Sequence, residues 1–150
     1  MSISAISPGA SAAAPAGAQA RAQFTPEQLA QIDKLKQRDT EVRQHEMAHL
    51  SAAGGLATSG PSYTYQRGPN GVNYAVGGEV HIDTSPGATP EETIARARTI
   101  QAAALAPAEP SGADRAVAAR AQQLEQQARA ELEQAYSPAA TSRPTVDVYA

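Results

Sequence analysis

"VRQHEMAHLSAAGG", Val42 to Gly55, holds two of the chain's three histidines, four residues apart, with a glutamate directly after the first. At helical spacing Val42, His45, Glu46, His49, Leu50 and Ala53 crowd one side. Gly54-Gly55 then supplies the left-handed C-cap that ends the helix. Asp39 or Thr40 can cap a helix beginning "EVRQHE", so a fresh helix start is expected there.

Upstream, "TPEQ" at Thr25 to Gln28 reads as a capping box with Pro26 at the first helical position. Leu29, Ile32 and Leu35 continue it as a helical stripe. Downstream the period changes. "SYTYQRGPNGVNYAVGGEVHID" alternates through Tyr63 and Tyr65, turns at Gly68-Pro69-Asn70-Gly71, and returns through Val72, Tyr74, Val76, Val80 and Ile82. Asn-Gly between two alternating runs predicts a β-hairpin. Gly77-Gly78 in the returning strand predicts a bulge or a close backbone approach. Thr89 and Pro90 then open a helix through Ile94, Ala97 and Ile100 to Leu105, which Pro107 and Pro110 break. Ser111 or Asp114 starts a last helix, striped by Val117, Ala121, Leu124, Ala128, Leu132 and Ala135. The expected class is α+β, mostly α, with one hairpin and two C-terminal helices.

Residues 1–23 are Ala, Ser, Gly and Pro with little else and read as a disordered leader; 24–136 form the domain, and 137–150 a flexible tail in which "TVDVY" can add a short strand. Leu, Ile, Val and Phe number 21 of 150, under the roughly 20% at which disorder becomes a live alternative. The net charge of -3 is low, however, and the helical patterning is clear, so a thinly packed domain is expected. Such a domain gains from a bound metal. The negative charge argues against nucleic-acid binding by phosphate neutralisation. The chain has no cysteine, so disulfides and thiolate metal sites are excluded. No apolar run reaches the roughly 18 residues of a membrane span, and the first residues lack a signal-peptide pattern, so the default expectation is cytoplasmic.

His45-Glu46-Met47-Ala48-His49 matches H-E-x-x-H. Positions i and i+4 lie one turn apart, so both imidazoles can face one metal. The carboxylate of Glu46 sits beside that face, where it can take a proton from a water attacking a carbonyl and return it to the leaving amine. Two neutral imidazoles and a carboxylate suit one Zn2+, while manganese, iron and cobalt are not excluded by donor type. The extended metzincin pattern fails, because Ala52 stands where its glycine belongs and Gly55 where its third histidine belongs. The third ligand is sought instead in "GGEVHID". There Glu79, His81 and Asp83 alternate onto one strand face, and either Glu79 or His81 can complete the set.

Three phrases carry a resemblance: "RDTEVRQHEMAHLSAAGG", "SYTYQRGPNGVNYAVGGEVHIDTS" and "PEETIARARTIQAAALAPAEPSGADRAVAARA". Over roughly residues 38 to 121 the chain resembles the SprA-related family of bacterial metallopeptidase-like domains. The resemblance implies a minimal zincin-like domain with His45 and His49 as metal ligands and Glu46 as general base. The Tyr74 to Val80 phrase matches the family's pattern while the place of His81 varies, which favours Glu79 as third ligand over His81.

Of the remaining residues, Tyr74 is the candidate oxyanion stabiliser, being nearest in sequence to Glu79; for it, Tyr63 and Tyr65, packing is the plainer role. Arg43 and Arg67 read as solvated charges that can also meet a substrate carboxylate. Glu109 and Asp114 flank the "AEPSGAD" turn, to cap a helix or to orient a ligating imidazole, with capping preferred. The expected function is zinc-dependent hydrolysis of a peptide or protein substrate, with no nucleic-acid or membrane partner. The alternative is a non-catalytic metal-binding or interaction module that retains the motif.

Overall fold

The computed structural model describes residues 23–137. The expected leader, tail and "TVDVY" strand therefore lie almost wholly outside the described residues. The architecture is α+β and mostly α: α1 (Pro26–Ala53), β1 (Ser62–Arg67), β2 (Asn73–Glu79), α2 (Pro90–Ala104) and α3 (Gly112–Tyr136), with a 3-10 turn at Gly54–Leu56.

Helix α1 opens on the expected capping box. Gln28 N–H donates to Thr25 Oγ1 at 3.2 Å, and Thr25 N–H donates to Gln28 Oε1 at 2.9 Å. The second helix start expected near Asp39 does not occur, because α1 runs unbroken for 28 residues, about 42 Å. Its buried positions are Ile32, Leu35, Val42, Glu46, His49 and Ala53, steps of three or four with one gap at 39. Asp39 fills that gap as a tie to the hairpin. Its Oδ1 accepts from the Ala75 N–H of β2 at 2.7 Å, and its Oδ2 accepts from Arg43 Nε at 3.0 Å. The helix ends where the glycines stand: Gly54 has φ 52° and ψ -128°, a conformation open to glycine and scarcely to other residues.

β1 and β2 pair antiparallel, joined by a turn in which Gly68 N–H donates to Val72 O at 2.8 Å and Gly71 N–H donates to Gly68 O at 2.9 Å. Gly71, at φ 77°, takes the left-handed position that this turn requires. Thr64 faces Gly77 while Tyr65 faces Ala75, which leaves Val76 as the extra residue of a β-bulge next to Gly77-Gly78. Tyr74 packs on Ile32 and Leu35, with Phe24 and Val76 partly buried against them. This small cluster seals the hairpin onto the first half of α1.

Beyond β2 the chain crosses to the segment that follows α1. Thr58 N–H donates to His81 O at 2.9 Å, Asp83 N–H donates to Leu56 O at 2.8 Å, and Ala57 bridges Ile82. Thr89 caps α2, with Pro90 in its first turn. α2 and α3 pack along each other, and the residues they bury are mostly small: Ala97, Ala103 and Ala104 of α2 and Ala118, Ala121 and Ala128 of α3, with Ile100 of α2 1% exposed. Glu125 of α3 accepts from Arg98 of α2 at 2.9 Å and pins the pair. Ser111 is the α3 N-cap and Asp114 is its N3 residue. Of the expected α3 stripe, Ala121 and Ala128 are buried, Val117, Leu124 and Leu132 are half-buried, and Ala135 is exposed. A 25-residue helix overhangs a 15-residue partner. No helix among the described residues is long and apolar enough to cross a membrane.

Candidate metal centre

The helical spacing of H-E-x-x-H does what sequence geometry requires. His45 Nε2 and His49 Nε2 stand 3.1 Å apart, with the rings edge-on at 76°. His49 is 5% exposed, and its Nδ1 lies 2.8 Å from the Ala103 carbonyl at the end of α2. A carbonyl only accepts, so the neutral ring carries its hydrogen on Nδ1. That leaves the Nε2 lone pair facing His45.

Asp114, from the first turn of α3, completes the cluster. Its Oδ2 is 3.4 Å from His45 Nε2 and its Oδ1 is 3.4 Å from His49 Nε2. One donor atom from each of the three residues falls within a 4.8 Å set able to hold a metal ion. Zinc bonds of about 2.0–2.1 Å at tetrahedral angles put neighbouring ligand atoms about 3.3–3.4 Å apart, close to the separation of the two Nε2 atoms and to that of each from its nearer Asp114 oxygen.

The Asp114 carboxylate is held from behind. Ser111 N–H donates to Oδ2 at 2.7 Å, and Ser111 Oγ accepts from Asp114 N–H at 3.1 Å. Burial pushes this carboxyl up, but the Ser111 hydrogen bonds and the two imidazoles outweigh it and hold the group below the ordinary aspartate range. It is therefore ready as an anionic donor at neutral pH. Of the two roles read for Asp114 from the sequence, the preferred one, helix capping, is present; in place of orienting a ligating ring from outside, the carboxylate faces the two Nε2 atoms as a third donor.

Glu46 lies beside the cluster, 4% exposed, with no hydrogen bond among the described residues. Burial raises its proton affinity above the ordinary glutamate range. The nearby imidazoles oppose this, while Asp114 and Glu79 add to it. A cavity of about 980 Å³ opens over these groups, walled by α1, by Gly77 to Ile82, and by the chain from Ala104 to Val117.

The other sequence candidates stand elsewhere. Glu79 and His81 both line the cavity but are exposed and lie outside the three-residue cluster. Glu79 accepts from Ser62 Oγ at 3.5 Å, and His81 gives its carbonyl to Thr58. The strand alternation that grouped them with Asp83 does not continue, because residues beyond β2 turn to pair with Leu56 to Thr58, and Asp83 binds Arg96 at 2.6 Å. Tyr74, the candidate oxyanion stabiliser, sits in the cluster around Leu35, its hydroxyl accepting from Asn70 Nδ2 at 2.8 Å. Leu35 is ten residues before His45, about 15 Å along the helix, which separates this ring from the candidate ligands. Arg43 stacks 4.9 Å over Tyr63 on the hairpin side of α1. Glu109 is an exposed residue of the cavity wall.

The described residues thus define a small α+β domain with a two-histidine, one-aspartate cluster able to hold a metal ion, beside the buried acidic side chain of Glu46. The chain matches the SprA-related family over residues 12–147 and belongs to it. No curated protein and no solved structure matches the chain.

Proposed function

We propose that this chain is a zinc-dependent peptide hydrolase in which His45, His49 and Asp114 hold the ion and Glu46 is the general base. The observation that carries the reading is the pair of Nε2 atoms 3.1 Å apart, each 3.4 Å from a different oxygen of Asp114, beside the buried Glu46 carboxylate. Three protein donors leave a fourth tetrahedral position open, which is the pattern of catalytic rather than structural zinc sites. A bound zinc ion supplies Lewis-acid activation of water and of a carbonyl oxygen at neutral pH.

The chain's own residues supply the rest. The Ala103 carbonyl fixes the His49 tautomer, and Ser111 aims the Asp114 carboxylate. Glu46 takes the proton released as water adds to the carbonyl and hands it to the departing amine. Its raised proton affinity suits both halves of that transfer. The cavity of about 980 Å³ over the cluster is the space in which a polypeptide segment would lie.

Elemental analysis of tag-free protein, coupled to cleavage of a mixed peptide library, tests the reading. His45→Ala and His49→Ala should lose the metal. Glu46→Gln should keep it while hydrolysis falls about 100- to 10,000-fold. Equal trace metal in all variants would sink the proposal. A second reading, a metal-binding module without turnover, draws support from Asp114 linking α3 to α1; stoichiometric zinc with no cleavage of the library would favour it.

A further inference from the structure

The glycine pair of β2 is not a flexible spacer. Neither Gly77 nor Gly78 has a positive φ, so backbone conformation does not demand glycine at either position. Space demands it at one of them. A Cβ on Gly78 would lie 2.7 Å from Cγ of Glu46, 3.0 Å from its Cδ and 3.0 Å from its Oε1. A Cβ on Gly77 would meet only Thr64 Cβ at 3.9 Å, an ordinary contact. The Val76 bulge lies immediately before this pair.

From this contact we infer that Gly78 is the positioning residue for Glu46: its bare backbone forms the wall that holds the carboxylate in the rotamer beside His45 and His49. The inference rests on the hydrolase reading for its purpose, and on packing alone for its geometry. Glu46 is 4% exposed and has no hydrogen bond among the described residues that would fix it otherwise. Steric enclosure by β2 on one side and its own helix on the other is what remains. A single methyl group at position 78 forces the side chain at its Cγ, not merely at its flexible end, so the whole carboxylate must swing. The three atoms nearest that missing Cβ all belong to Glu46, so the clash falls first on this side chain, and residues 45, 49 and 114 are expected to keep their places. The strand therefore controls the base without contributing a ligand.

The test compares Gly78→Ala with Gly77→Ala in the full chain. Loaded with cobalt(II) in place of zinc, both variants should bind one ion per chain as the unaltered protein does. Gly78→Ala should change the visible cobalt absorption bands in the manner of Glu46→Gln, because the acid beside the open coordination position has moved. Gly77→Ala should keep the unaltered bands. In metal-free protein, Gly78→Ala should lower the melting temperature only while the Glu46 side chain is present, and the same change in a Glu46→Ala background should have little effect. Unchanged bands in Gly78→Ala, or an equal melting shift with and without the Glu46 side chain, overturn the assignment. If the unaltered chain binds no cobalt, the hydrolase reading falls and takes the purpose of Gly78 with it, while the metal-free melting comparison still decides the contact.

Discussion

His49 shows how much one side chain can be asked to do: one ring nitrogen is spent on the Ala103 carbonyl so that the other faces His45 and Asp114. Asp114 is divided in the same way, between a helix cap and the imidazoles. Asp114→Asn preserves the capping oxygen but removes the charge, so zinc affinity should fall on the order of 100-fold in a chelator competition, whereas Glu79→Gln should change it far less. The reverse order would restore Glu79 as the third ligand. Asp83 offers a pH test away from the site. Hydrogen bonds from Ser85, then from Arg96, lower its carboxyl from 3.8 to about 2. The folded chain thus binds that proton less tightly than the unfolded chain. The stability it confers is complete above 3.8 and is lost as pH falls through about 2. Asp83 is solvent-facing, so the effect is small. Thermal melts should place Asp83→Asn a few degrees below the unaltered protein at pH 6 and level with it near pH 2.

At the scale of elements, α1 is the member on which the others are assembled. Its stripe is apolar at Ile32, Leu35 and Val42, then polar at Glu46 and His49, and the switch marks where packing gives way to chemistry. Asp39 is the polar residue inside the apolar half, and it exists there because β2 lays the Ala75 N–H against it in a position where Ala75 is 0% exposed. Removing the acceptor leaves a buried donor without a partner. Asp39→Ala should therefore cost about 1–3 kcal/mol in urea unfolding. A cost near zero would mean that water or another group takes over. This residue also explains why a second helix start was expected: an aspartate before "TEVRQHE" has the look of a cap, and only the strand packed against it reveals the other use.

The whole molecule is two subassemblies joined at the candidate metal centre: the hairpin sealed onto the first half of α1, and the α2–α3 pair resting on its second half. Asp114 reaches both His45 and His49 of α1 from the first turn of α3, so an ion there would fasten the subassemblies together. With a core made largely of alanine, that fastening should be felt. At free zinc about 100-fold above the dissociation constant, binding stabilises by about 2.7 kcal/mol. Chelation should then lower the melting temperature by roughly 10 °C or more, with backbone amides of the α3 first turn losing hydrogen-exchange protection first. Insensitivity to chelator would show that alanine packing alone holds α3. By itself, the sequence determined the elements, save for a helix start at Asp39 that the unbroken α1 lacks, and half of the candidate centre. Capping residues, helical stripes and Asn-Gly are local signals, and His45 and His49 meet because one turn of helix joins them. Only the tertiary structure decided that Asp114 joins them, that Glu79 and His81 stand apart, and that Tyr74 packs far from the site. Those contacts depend on which helix end and which strand face arrive together, and no spacing along the chain encodes a meeting between elements so distant in sequence.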